Sequence, residues 1–231
     1  MSNNRQVKLD PRLSAIAALV GSCECYADIG CDHGRLGAFL LQTGRCARAQ
    51  LTDISADSLQ KARRLVALLG LAERVDFCVG DGAQALNDVP EVTVIAGMGG
   101  ATIARIIREG RERLGDSRLI LQPNVAAREL REALVTCGYR IYDERIAPDG
   151  RRNYVIIAAE PGEARYTDDE LEVGPVLLRD RPLELMPYAQ FRLRVARKAL
   201  EGARSGGDLT ETEKLERELK LWKGMLECLQ P

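Results

Sequence analysis

Short apolar runs alternate with helix-periodic segments from about residue 24 to residue 159. Residues 25–29 form a compact apolar run that stops at Gly30, and residues 36–41 then read as helix. Residues 47–51 predict a second strand, ending at Thr52 and Asp53. Ser55 can cap the helix that follows, in which Leu59, Ala62, Leu65, Val66 and Leu69 recur at helical spacing until Gly70 stops it. Residues 75–79, 92–96 and 119–121 predict three more strands, ending at Gly80-Asp81-Gly82, at Gly97 and before Pro123, with a helix over 102–114 between the last two. Two further β-rich runs, 140–146 and 154–159, close the segment. This alternation predicts an α/β domain with a parallel sheet and helices on both faces. The last two runs are joined through Pro148, Asp149 and Gly150, too short a link for a parallel crossover, so an antiparallel hairpin is expected there.

The pattern changes near Pro161 and Gly162, which divides a domain at 1–162 from a tail at 163–231. Beyond Leu171 the tail reads as helix interrupted by Pro175, Pro182 and Pro187. Tyr188, Phe191, Val195 and Ala199 fall on one helical face. After the breaker Ser205-Gly206-Gly207, Leu215, Leu219, Trp222, Leu226 and Leu229 alternate steps of four and three. Two such helices on a short loop predict an antiparallel helical hairpin, or short coiled coil.

Composition adds constraints rather than a function. No stretch of about 18 uncharged apolar residues exists, so no membrane span is expected. Residues 1–10 are polar and lack the apolar core of a signal peptide, which predicts a cytoplasmic protein. The net charge of −1 excludes a globally basic nucleic-acid binder and leaves open a local patch. Seven cysteines, none in C-x-x-C spacing, and the single histidine His33 predict reduced, buried thiols and no metal site. A monomer is expected.

In a sheet of this kind ligands bind beyond the carboxyl ends of the strands. The first end is Asp28-Ile29-Gly30-Cys31-Asp32-His33-Gly34. Gly30 permits a tight turn and Gly34 lets the next helix start close to the strand. Between them, where a pyrophosphate loop would want glycine, stands Asp32. An aspartate repels phosphates but suits a ligand carrying a sulfonium and an α-ammonium, and it also suits a plain helix cap. Asp53 lies at the interval expected of a carboxylate that binds ribose hydroxyls, and Asp81, followed by Gly82, where an acid accepts from an adenine amine. The fourth end, Ala96-Gly97-Met98-Gly99-Gly100, spends three glycines, either on a tight turn or on close approach of main chain to a flat substrate. At the fifth, Gln122 or Asn124 can read a base edge, since an amide offers both donor and acceptor.

These blocks, from Ala27-Asp28-Ile29-Gly30-Cys31-Asp32-His33 through Gly80-Asp81-Gly82 and Ala96-Gly97-Met98-Gly99-Gly100 to Leu121-Gln122-Pro123-Asn124, resemble the bacterial tRNA (adenine-N1)-methyltransferases that modify adenine 22. The likeness extends from Arg12-Leu13 to Gly174-Pro175 and the helical tail, with departures at Arg35 and Gly37, where members often have tyrosine and proline. It implies a Rossmann-like class I methyltransferase sheet, S-adenosylmethionine as methyl donor with S-adenosylhomocysteine as product, and tRNA as partner. The expected donor-binding residues are Asp28, Gly30, Asp32, His33, Asp53, Asp81, Gly82, Ala96 and Gly97. The expected residues at the reacting centre are Asp28, Gly97, Met98, Gly99, Gln122 and Asn124.

Adenine N1 carries a free lone pair at neutral pH, so alignment matters more than a base, and His33 is expected to position rather than to move a proton. Asp28, Asp32 or carbonyls of the glycine turn can offset the charge of the cationic product. Phosphate contacts are expected from Arg5, Lys8 and Arg12 at the start, and from Arg192, Arg194, Arg197 and Lys198 on the tail, where residues 188–204 hold five basic side chains against one acid. Two rival functions remain: a methyltransferase acting on rRNA, protein or a small molecule, and a non-catalytic binding module.

Overall fold

A computed structural model of the chain describes residues 6–150 and 152–229. It divides into two compact units, Met1–Arg165 and Tyr166–Pro231. In the first, α1 (Pro11–Val20) precedes β1 (Cys23–Ile29), α2 (Arg35–Gln42), β2 (Cys46–Asp53), α3 (Ala56–Leu68), β3 (Val75–Val79) and β4 (Val92–Met98). Then follow α4 (Gly100–Glu109), α5 (Arg111–Leu114), β5 (Arg118–Pro123), α6 (Ala127–Thr136), β6 (Tyr139–Asp149) and β7 (Arg152–Pro161).

The seven strands form one sheet in the order β3-β2-β1-β4-β5-β7-β6. The first five run parallel, while β7 lies antiparallel to both β5 and β6. The α/β class and the terminal hairpin therefore match the sequence pattern. Central strands are buried on both faces, which is why they read as unbroken apolar runs: Leu119, Ile120 and Leu121 of β5 have no exposed surface. Ile16, Val20, Leu40, Leu41, Leu59 and Val66 from α1, α2 and α3 cover the sheet on one side.

Two boundaries differ from expectation. Hairpin pairing continues to Asp149↔Arg152, so Pro148 and Asp149 belong to the strand and the connection is shorter still. The helix expected over 102–114 begins at Gly100 and breaks at Gly110 into α4 and α5. Ser55 does cap α3, accepting from the Ser58 N–H at 3.2 Å.

The second unit holds α7 (Asp168–Val173), α8 (Pro175–Asp180), α9 (Leu185–Gly206) and α10 (Leu209–Leu229). α9 runs through Ser205 and Gly206 and ends only at Gly207, whose φ of 74° is left-handed. α9 and α10 pack together as a helical hairpin around Leu185, Ala189, Ala196, Leu200, Leu215 and Trp222. Phe191 and Val195, expected on the packed face, are exposed instead. The position between Ala189 and Ala196 on that face is taken by Arg192. Its guanidinium lies 5.2 Å from the Trp222 ring centre and pairs with Glu172 at 2.9 Å and Glu218 at 2.6 Å. Burial disfavours the charged guanidinium, but Tyr188 and the two carboxylates outweigh it and hold the proton more firmly than usual.

Candidate active site

The carboxyl ends of β1, β2, β3 and β4 open onto one cavity of about 580 Å³. Of the expected donor-binding residues, Asp28, Gly30, Asp32, His33, Asp53, Asp81, Gly82, Ala96 and Gly97 all line it. Asp53 organises its floor. One carboxylate oxygen accepts from the Asp32 N–H at 3.0 Å and the other from the Ser55 N–H at 2.8 Å. Those bonds hold Asp32 at a φ of 49°, a conformation that costs energy for a residue with a side chain. Each oxygen keeps a lone pair for a ligand hydroxyl.

Asp28 is buried, with 6% of its surface exposed. Burial pushes its carboxyl up to about 7, helped by the charge on Asp53 and opposed by the Tyr26 hydroxyl and the Arg12 guanidinium. A half-neutral buried acid facing a cavity is poised to take up a cationic group. Asp81 stands exposed across the cavity, paired with Arg105 at 3.1 Å, and Arg105 reaches on to Glu109 at 2.7 Å. Sequence reasoning missed Arg105 and Thr102, which line the cavity from the first turns of α4. Their signal was a helix starting straight after a glycine-rich strand end. His33 is exposed, its Nε2 3.6 Å from the Asp32 carboxylate.

The glycines after β4 have separate reasons. Gly97 is the extra residue of a bulge, because pairing with β5 jumps from Ala96↔Gln122 to Met98↔Pro123, and its φ of 78° suits only glycine. Gly100 abuts the loop after β5, where an added Cβ would meet the Ala126 carbonyl oxygen at 2.0 Å. Gly99 has an ordinary φ of −68°, and a Cβ there would touch nothing closer than 3.9 Å. The fold therefore does not require glycine at 99.

The bulge exposes the Gly97 carbonyl, which accepts from Asn124 Nδ2 at 2.8 Å. Asn124 Oδ1 accepts from Gln122 Nε2 at 3.1 Å, and Gln122 Oε1 accepts from Arg12 Nη1 at 2.7 Å. Gln122 has no exposed surface, so it does not read a base edge as one reading of the sequence allowed. Asn124 is exposed beside the turn. Arg12 is also misplaced among the phosphate contacts: its guanidinium turns inward to Gln122 and over the Tyr154 ring at 5.6 Å.

Residues 9–157 match the family model of a methyltransferase domain. The tRNA (adenine(22)-N(1))-methyltransferase of Bacillus subtilis is 33% identical over 184 residues, which cover 76% of this chain and 77% of that protein. The chain belongs to the tRNA (adenine(22)-N1)-methyltransferase family. Solved structures agree over nearly its whole length. A Streptococcus agalactiae protein of the NADB-Rossmann superfamily has a TM-score of 0.89 at 29% identity, covering 97% of this chain and 100% of that one. A Streptococcus pneumoniae protein solved with S-adenosyl-L-methionine has a TM-score of 0.85 at 30% identity, covering 95% and 100%.

For a tRNA methyltransferase the outer basic residues matter next. Arg5 lies outside the described residues. Lys8 is exposed, and its carbonyl accepts from Arg35 Nη2. On α9, Arg194, Arg197 and Lys198 are exposed. Arg192 leaves this group, because its guanidinium is engaged by Glu172, Glu218 and the Trp222 ring and its side chain is only 22% exposed. Among the described residues no helix is long and apolar enough to cross a membrane.

Proposed function

We propose that this chain transfers the methyl group of S-adenosylmethionine to N1 of adenine 22 in tRNA, leaving S-adenosylhomocysteine. The observation that carries the reading is one cavity at the sheet's carboxyl edge lined by Asp28, Asp53 and Asp81. Three acids repel a dinucleotide's phosphates and fit the donor's parts: Asp53 the ribose hydroxyls, Asp81 the adenine amine, and buried Asp28 the ammonium. The donor supplies a methyl on a sulfonium, already activated for attack. The chain's own work is alignment, since the N1 lone pair needs no base. Gly99, with nothing near it, leaves room for a flat base to approach.

A base within folded tRNA has to be extruded before it reaches such a cavity. Arg194, Arg197 and Lys198, with Lys8, supply phosphate contacts in this reading, and the enzyme works in the cytoplasm as a monomer. The test is methylation of unmodified tRNA followed by nucleoside analysis. The reading predicts 1-methyladenosine at position 22 and none when that adenine is replaced. A protein that binds S-adenosylmethionine yet leaves tRNA unmodified would point to a different substrate.

A further inference from the structure

The chain of side-chain hydrogen bonds from Arg12 to the Gly97 carbonyl has a fixed polarity. A guanidinium can only donate and a carbonyl can only accept. With Arg12 at one end, Gln122 must turn its oxygen to Arg12 and its nitrogen to Asn124. With Gly97 at the other, Asn124 must turn its nitrogen to the carbonyl and its oxygen to Gln122. Neither amide can flip without setting like against like, and Gln122 is sealed from water, so nothing else can satisfy it. Each group of the Asn124 amide has then used half its capacity. One N–H and one oxygen lone pair remain, in a fixed orientation, at an exposed position beside the turn that lines the cavity.

That remaining pair is the complement of the adenine edge that bears the 6-amino group and N7, which an asparagine engages with both of its groups. With N1 facing the methyl donor, this edge is free to be read. We propose that Arg12 is a positioning residue for methyl transfer: acting through buried Gln122, it fixes the Asn124 carboxamide so that it reads the 6-amino edge of the target adenine. The inference rests on the function proposed above. It moves Arg12 from the outer phosphate contacts to the centre of base selection, across a sequence separation of 110.

The experiment compares the full-length enzyme on two tRNAs, one with adenine at 22 and one with purine riboside, which keeps N1 and N7 but lacks the amine. The wild type should favour adenine in kcat/KM by about 10-fold or more, since a missing partner leaves a polar group unpaired. Arg12→Met should lose about 10-fold or more on adenine and little on purine riboside, so that the wild-type preference shrinks by about 10-fold. Arg12→Lys should restore part of it. Gln122→Met should reproduce the effect by cutting the chain at its centre, and Arg12→Met added to Asn124→Ala should cost nothing further. A separate readout needs no substrate: the side-chain amide NMR signals of Gln122 and Asn124 should be protected in the wild type and lose that protection in Arg12→Met. An Arg12→Met enzyme that keeps its preference for adenine overturns the proposal. So does one whose only defect is weaker tRNA or donor binding, and so do unchanged amide signals. A wild type inert on tRNA would refute the proposed function instead, while the amide signals would still decide whether Arg12 orders Asn124.

Discussion

The assignment of Asp28 to the donor's ammonium predicts that donor binding is coupled to a proton. Asp28 lies at the end of β1 with 6% of its surface exposed, and burial pushes its carboxyl up to about 7 from an ordinary 3.8. Between those values the folded chain holds a proton that the unfolded chain has released, so the free protein loses stability as pH rises through that window. Below pH 7 the donor brings two positive charges, and its ammonium should bind the ionised form of Asp28. With a folded value of about 7, roughly one molecule in thirty carries ionised Asp28 at pH 5.5, against one in two at pH 7.0. The donor dissociation constant should therefore be about 15-fold weaker at the lower pH. Titration calorimetry in two buffers of different ionisation enthalpy measures both the affinity and the proton released. At pH 6 binding should release most of one proton, and Asp28→Asn should abolish the release and flatten the profile. A wild-type affinity that is constant from pH 5.5 to 7.0, with no proton released, would refute the assignment of Asp28 to the ammonium.

Other outcomes follow from the same geometry. Asp53→Ala should weaken donor binding by about 1.5–3 kcal/mol, as a charged acceptor is removed and the Asp32 loop is freed, and unchanged calorimetric affinity in a folded variant would remove Asp53 from the site. Gly99→Ala should leave the melting temperature near wild type but lower turnover. Gly100→Ala, facing the Ala126 carbonyl, should cost about 1–3 kcal/mol of stability; equal behaviour of the two variants would refute their different roles. Replacing Arg194, Arg197 and Lys198 by glutamine should lower the salt slope of tRNA binding by about 0.7–0.9 for each phosphate left without its cation, and an unchanged slope would take α9 out of the interface. Arg192→Gln should show itself in hairpin melting instead, because the guanidinium that Glu172 and Glu218 share over the Trp222 ring would be gone.

Local signals carried most of this molecule. The five parallel strands announced themselves as short runs ending at Gly, Asp or Pro, the last two as β-rich runs around a Pro-Asp-Gly link, and the ends of β1, β2 and β3 held the acids that line the cavity. Strand lengths came out short because hydrogen bonding continues into polar residues such as Thr52 and Asp53, which carry no apolar signal. What stayed hidden was long-range pairing between polar side chains. Nothing local distinguishes Arg12 from an outward-facing cation, and its partner Gln122 is known only once α1 is placed against β5. Arg192 was closer to legible. It falls in step with Leu185, Ala189, Ala196 and Leu200, so helical spacing already placed it on the packed face, where a cation requires partners.

The placement of β7 bears on synthesis. It is the last strand of its unit to be made, yet it lies inside the sheet, between β5 and β6. Until residue 161 leaves the ribosome, β5 presents an unpaired edge rich in Leu119, Ile120 and Leu121, and β6 has no neighbour to join. The acids at the ends of β1, β2 and β3 are by then already translated. A nascent chain stalled before β7 would thus carry the acids of the donor cavity beside a bare, apolar strand edge, the kind that pairs with other chains. Chains arrested with β5 already outside the ribosome and residue 161 not yet out should be the ones that aggregate or engage chaperones, and emergence of residue 161 should end that exposure.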